Sequence, residues 1–162
     1  MRAALVALAM STMALRAAAQ APVSHPDLTG VWVMDTTKFH KTDSVLVALT
    51  LTVARRGDTL TVSTEGSDLR GGVTSSFVSK AVYRLDGAPT QNTMTGTTTT
   101  LTSQVSWDGP TLVLTSSGER NGKSYRTTER WTLDAASRTM SRQATFLMGG
   151  MDRSQVLVFS RR

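Results

Sequence analysis

The sequence predicts an all-β protein, an up-and-down antiparallel β-barrel of 8–10 strands. Threonine accounts for 26 of the 162 residues, and β-branched side chains favour strands. Short alternations of apolar and polar residues recur along the chain, and turn sequences separate them. No segment has the length and period of the helix that joins parallel strands. A long meander of this kind closes into a barrel or folds as a sandwich, and we favour the barrel.

Residues 1–19 have the features of a secretory signal peptide. A positive start at Arg2 precedes an apolar run to Leu15 and three alanines that end at Ala19. We expect cleavage after Ala19, because a cut after Ala21 would place a proline directly beyond it. The run is shorter than the roughly 20 residues of a membrane span, so an uncleaved anchor is the less favoured alternative. The mature chain is therefore expected in the periplasm or outside the cell, without membrane insertion.

The remaining 143 residues are expected to form an extended lead-in, residues 20–27, and one domain, residues 28–162. The leader contains two of the 18 basic residues, which leaves 16 against 12 acidic ones, a net charge of +4. The adjacent basic pairs, 55–56 and 161–162, are not interleaved with aromatic residues, so we expect no nucleic-acid partner. The absence of cysteine excludes disulfides and thiol catalysis.

Turn sequences divide the domain into roughly nine strands. Asn121-Gly122 is the strongest hairpin signal, and Asp86-Gly87 and Asp108-Gly109-Pro110 mark further turns. A bend or bulge is expected at Gly96. The predicted strands are residues 28–34, 45–54, 59–65, 74–85, 93–107, 111–117, 124–133, 139–148 and 153–160.

Alternation within these strands assigns one side of each to the interior. The inward sets of the first, second and fourth strands are Leu28, Gly30, Trp32 and Met34; Val45, Val47, Leu49, Leu51 and Val53; and Phe77, Ala81, Tyr83 and Leu85.

The opening stretch Leu28-Thr29-Gly30-Val31-Trp32 resembles the glycine-x-tryptophan element of the lipocalins and the wider calycin group. The resemblance implies a barrel around a pocket for a small apolar ligand, with a tryptophan closing the narrow end and an arginine packed across it. Trp32 matches that tryptophan, Arg161 is the best candidate for the arginine, and Gly30 allows a close neighbour. Val33 replaces the usual aromatic or basic residue, and the C-terminal helix and disulfide are missing. The chain is therefore most similar to a short bacterial lipocalin-like secreted protein.

The strand 124–133 contains an acidic residue, Glu129, on the same side as its aromatic residues. The next strand places Arg142 on the matching side, and a hairpin through 134–138 would bring the two charges opposite or one diagonal apart. The pair is either a polar anchor for a pocket or a structural ion pair, and we favour the structural role. The predicted pocket walls are Tyr83, Tyr125, Trp131, Phe146 and Phe159.

Neither a metal site nor an active site is expected. His25 and His40 lie in polar segments without the spacing of metal ligands, and no histidine is predicted on a pocket wall to bind haem. The serines lack a nucleophile elbow, and Glu129 lacks the second carboxylate that glycoside hydrolysis requires. We therefore predict a protein without cofactor or enzymatic activity.

The leading hypothesis is an exported, monomeric, lipocalin-like protein that binds a small, mostly apolar molecule, with Glu129 and Arg142 as its polar contact. The alternative is a non-catalytic secreted module that binds or inhibits a protein through loops 35–44, 66–72 and 86–92, with a filled core. An outer-membrane barrel is rejected, because the faces opposite the core carry Thr, Lys, Arg and Ser where an apolar band is needed.

Overall fold

The computed structural model describes residues 24–38, 46–136 and 138–162, in which ten antiparallel strands form one sheet. The strands are β1 (Gly30–Met34), β2 (Leu46–Arg56), β3 (Thr59–Arg70), β4 (Val73–Arg84), β5 (Thr90–Thr93), β6 (Thr100–Asp108), β7 (Thr111–Arg120), β8 (Lys123–Asp134), β9 (Thr139–Met148) and β10 (Met151–Arg161). Their order is β4-β3-β2-β1-β10-β9-β8-β7-β6-β5. The predicted all-β, up-and-down barrel is confirmed. The predicted signal peptide lies outside the described residues, and within them no helix could cross a bilayer.

The barrel is nearly closed between β4 and β5, where side chains replace the backbone ladder. The Asn92 side-chain oxygen accepts a hydrogen bond from the Val82 N–H at 2.8 Å, and its amide nitrogen donates to the Val82 carbonyl at 2.9 Å. The Thr90 hydroxyl donates to the same carbonyl at 2.7 Å. Asn92 therefore pairs with the edge of β4 as the backbone of a neighbouring strand would.

Trp32 and Arg161 close the end of the barrel at which β1 begins and β10 ends, here called the closed end. The Trp32 side chain is fully buried, and its indole N–H donates to the Leu28 carbonyl at 2.8 Å. The Arg161 guanidinium carbon lies 5.3 Å from the centre of the indole ring, and its Nη2 donates to the Thr29 carbonyl. Because the cation covers the ring face and also meets a carbonyl, one side chain stabilises both groups.

Apolar side chains from most of the strands pack above this closure. They form one buried cluster of Leu28, Trp32, Met34, Leu49, Leu51, Val53, Leu60, Val62, Val105, Leu112, Leu114, Trp131, Met140, Leu157 and Phe159. Within a strand the cluster members recur at every second position, as in Leu49, Leu51 and Val53 of β2, which is the expected pattern for a barrel wall.

The predicted single strand 93–107 is wrong, because the chain reverses within it. β5 ends at Thr93 and β6 begins at Thr100. Between them, the Met94 N–H donates to the Thr99 carbonyl at 2.8 Å, and Gly96 adopts a φ of 70°. The threonine-rich composition suggested one continuous strand, but the positive φ at glycine makes a tight turn.

The predicted loop 66–72 is also wrong, because β3 continues to Arg70 and the chain turns at Gly71-Gly72. Gly66 lies inside the strand. A Cβ at Gly66 would lie 2.5 Å from the Phe77 ring and 2.8 Å from a Leu49 methyl. This glycine therefore marks close packing within the sheet and does not mark a turn.

An irregularity near the start of β2 changes which residues face inward. The pairing of β2 with β3 shifts between Leu46 and Ala48. Val47, predicted to point inward, is instead 45% exposed, and Leu46 lines the interior. A bulge adds one residue to a strand and so reverses the alternation beyond it.

Asn92→Ala should weaken the seam between β4 and β5. The substitution removes the partner of the Val82 N–H and one partner of its carbonyl, so we expect a loss of about 1 to 3 kcal/mol of unfolding free energy. Urea denaturation followed by circular dichroism measures it. Gln91→Ala is the matched control, because Gln91 is exposed and its side chain bonds, among the described residues, to the Thr102 hydroxyl and not to β4. Equal losses for the two variants would show that Asn92 does not hold the seam.

Gly30→Ala should loosen the closed end. Gly30 has a φ of 128°, which L residues avoid, and a Cβ there would lie 2.9 Å from Nε of Arg161. We expect a loss of about 2 kcal/mol. Gly57→Ala provides the control, because Gly57 also has positive φ but faces open space. If thermal unfolding shows the same loss for both variants, contact with Arg161 contributes nothing.

Candidate functional site

The barrel encloses a cavity of about 470 Å³ between the core cluster and the end opposite Trp32, here called the open end. Its inner wall includes Leu51 and Trp131, and its rim includes Leu46, Ser75 and Gly96. The volume falls within the range of roughly 300 to 1,000 Å³ typical of small-molecule sites.

A bidentate ion pair lies on the cavity wall. Arg142, on β9, donates from Nε to Glu129 Oε2 at 2.8 Å and from Nη2 to Oε1 at 2.6 Å. The Trp131 indole N–H donates to the same Oε2 at 2.9 Å. The register places Trp131 opposite Arg142, so Glu129 and Arg142 are one diagonal apart, as the alternation of the two strands predicts.

The ion pair is largely shielded from solvent and strongly coupled. The Arg142 and Glu129 side chains are 19% and 15% exposed. Burial opposes ionisation of Glu129, but the Arg142 charge and the hydrogen bonds from Arg142 and Trp131 outweigh it and lower its pKa. Burial likewise disfavours the Arg142 cation, and the Glu129 charge outweighs this and raises its pKa. Both groups are therefore ionised at neutral pH.

Two tyrosines on the cavity wall lie within electrostatic range of this pair. Burial is the main cause that raises the pKa of Tyr83 and of Tyr125, and the Glu129 charge acts in the same direction. Neither hydroxyl has a hydrogen-bond partner among the described residues. Because no buried polar side-chain atom there lacks a partner, both hydroxyls are accessible, and both residues line the cavity. Both phenols therefore remain protonated and available as donors.

The cavity lining contains most of the predicted site residues, and Phe159 is the exception. Tyr83, Tyr125, Trp131, Phe146, Glu129 and Arg142 all line it. Phe159 is fully buried in the core cluster, opposite Met34 and Met140. Alternation correctly places Phe159 inside, but it lies one step closer to the closed end than Leu157, and Leu157 reaches the cavity.

Small polar side chains on β6 to β8 make room in the lining and were missed by the sequence analysis. The Ser103 and Ser116 hydroxyls form a hydrogen bond of 2.7 Å. Thr127 is also buried and lies opposite Ser116 in the pairing of β7 with β8. Ser103 and Ser116 lie two residues from Leu101, Val105 and Leu114 on the same strands, so the alternation could have placed them on the inner face. It was not used because small hydroxyl residues suggest an outer face.

The described residues contain no group of three His, Cys, Asp or Glu side chains that could hold a metal ion. The His25 ring is stacked on Trp107 with centroids 4.1 Å apart and planes 7° apart. His40 lies outside the described residues.

The ten strands form a nearly closed barrel with an internal cavity. The crystal structure of the wild-type fluorescent protein UnaG is similar to it. The two are 18% identical with a TM-score of 0.52, over 83% of this chain and 97% of that chain. At this identity the likeness shows the fold alone. No protein-family profile and no curated protein sequence matches the chain.

Glu129→Gln should destabilise the protein at neutral pH by about 3 kcal/mol, because it leaves the Arg142 cation partly buried without its counter-ion. The folded pKa of Glu129 lies below its ordinary value of 4.5, so its contribution is complete above that pH and is lost as pH falls through the folded pKa. The difference in unfolding free energy between wild type and variant should therefore shrink in acid.

Denaturation at a series of pH values measures this difference. Glu65→Gln is the control, because Glu65 is exposed on β3 and its variant should follow the wild type throughout. A difference that stays constant across the acid range would contradict the assigned coupling.

Proposed function

We propose that the chain is an exported, monomeric carrier that binds a small, mostly apolar molecule in the barrel cavity. The observation that carries the proposal is the cavity itself, about 470 Å³ within a calycin-like barrel. Its wall combines aliphatic and aromatic side chains with one concentrated polar group, which is the usual composition of a small-molecule site. The proposal assigns no catalytic step and no cofactor to the cavity.

The walls supply the apolar part of the binding energy in this proposal. Phe77 and Tyr83 on β4 and Phe146 on β9 face one space. Contact with these rings would remove apolar ligand surface from water, and each Å² buried would contribute about 25 cal/mol of binding free energy. Glu129 and Arg142 would then fix the orientation of a polar group.

The alternative, a protein-binding module, requires a filled interior, and the cavity weighs against it. Two of its proposed contact loops are also shortened, because β3 extends to Arg70 and β5 begins at Thr90. Export rests on the leader sequence of residues 1–19 and is part of the proposal.

Protein purified from the exported fraction of its own cells should carry a small organic molecule. Native mass spectrometry before and after solvent extraction would reveal it as a discrete added mass. Recovery of apoprotein alone, together with failure of the extracted molecules to rebind, would overturn the carrier assignment.

Ala81→Phe should reduce binding of the neutral apolar dye Nile red by at least about tenfold, because Ala81 lines the cavity and a ring there occupies ligand space. Dye fluorescence measured against protein concentration gives the dissociation constant. Ala54→Phe makes the same change on the exposed outer face of β2 and should leave binding unchanged. Equal effects of the two variants would place the dye outside the barrel.

A further inference from the structure

The cavity wall carries no net charge. The charged residues of the described lining are Asp68, Lys80, Glu129 and Arg142, two of each sign. The inner pair is neutralised at contact, with guanidinium–carboxylate distances of 2.6 and 2.8 Å. A ligand carboxylate placed beside Arg142 would therefore meet a cation that already has its counter-ion, and it would add an uncompensated negative charge next to Glu129.

Glu129 and Arg142 also differ in the hydrogen bonds that they could still make to a ligand. Glu129 already accepts three hydrogen bonds, two at Oε2 and one at Oε1. Arg142 uses Nε and Nη2 for Glu129, and its Nη1 donates to no described protein atom. No buried polar side-chain atom of the described residues lacks a partner, so Nη1 is open to the cavity. The polar spot therefore offers mainly donors.

The two tyrosines extend this group of donors. Tyr83 on β4 and Tyr125 on β8 line the cavity, and each interacts electrostatically with Glu129 and Arg142. Their hydroxyls have no partner among the described residues. Three side chains from β4, β8 and β9 thus present unused N–H or O–H groups to one region of the cavity.

We propose that the cavity selects uncharged apolar molecules that carry an acceptor oxygen, such as a ketone or ester carbonyl, over apolar carboxylates and ammonium ions of the same chain length. The acceptor oxygen receives a hydrogen bond from Nη1 of Arg142, and the hydroxyls of Tyr83 and Tyr125 are further donors on the same cavity wall. This inference rests on the proposed carrier function, and it names the chemical class of its ligand.

A competition between three ligands with one alkyl chain tests the inference. The wild-type protein is incubated at pH 7 with equal amounts of methyl dodecanoate, dodecanoate and dodecylammonium, and the bound fraction is separated, extracted and quantified by mass spectrometry. We expect the ester to exceed each ion by at least about tenfold, because either ion leaves a net charge in a shielded site. Dodecanoate or dodecylammonium bound as well as the ester would overturn the inference and leave the carrier function intact. No binding of any of the three would overturn both.

Glu129→Gln should shift the ligand preference from the ester towards the carboxylate. It removes the counter-ion of Arg142, so dodecanoate should gain at least about tenfold relative to the ester. Glu65→Gln is the matched control and should keep the wild-type ratio, because Glu65 lies on the outer face. An unchanged ratio in a folded Glu129→Gln variant would contradict the role of charge balance. If that variant does not fold, the wild-type competition alone decides, since it requires no substitution.

Discussion

The closure of the ring of strands depends on the Asn92 and Thr90 side chains at the seam between β4 and β5. Nine of the ten neighbouring pairs in the cylinder form backbone ladders, and β4 with β5 is the remaining one. There the Asn92 amide bonds both the N–H and the carbonyl of Val82. The Thr90 hydroxyl bonds the same carbonyl, and without these contacts two strand edges would be open and the interior between them would be accessible from the side.

Closure by ten strands also explains why the interior is hollow. A barrel of eight strands has an interior that side chains nearly fill, and additional strands widen it. Ser103, Ser116 and Thr127 place small side chains on the inner wall. The buried apolar cluster packs near the closed end, and the cavity lies between this cluster and the open end.

Alternation along strands predicted much of the fold and the central charge pair from the sequence. Glu129 and Arg142 were placed correctly because both strands are regular and joined by a short turn. Prediction failed where a local feature interrupted that rule. The shift between Leu46 and Ala48 exchanged inside and outside, and Gly96 reversed a strand that composition had suggested was continuous.

Two further features could not be predicted from the residues of single strands. How far along the barrel axis a residue sits depends on the register of all its neighbours, so the sequence could not separate Phe159 in the core from Leu157 at the cavity. The bond between Asn92 and Val82 joins strands that make no ladder, and no local pattern marks it.

Both ends of the described chain lie at the closed end of the barrel. The His25 ring is stacked on Trp107, and the Arg162 N–H donates to the Val31 carbonyl at 2.9 Å. A tether attached at Ser24 or at Arg162 would therefore leave the mouth facing away from the support. A short peptide linking Ser24 to Arg162 would not cross the mouth, so new ends could be opened at the Gly71-Gly72 hairpin without rerouting any strand.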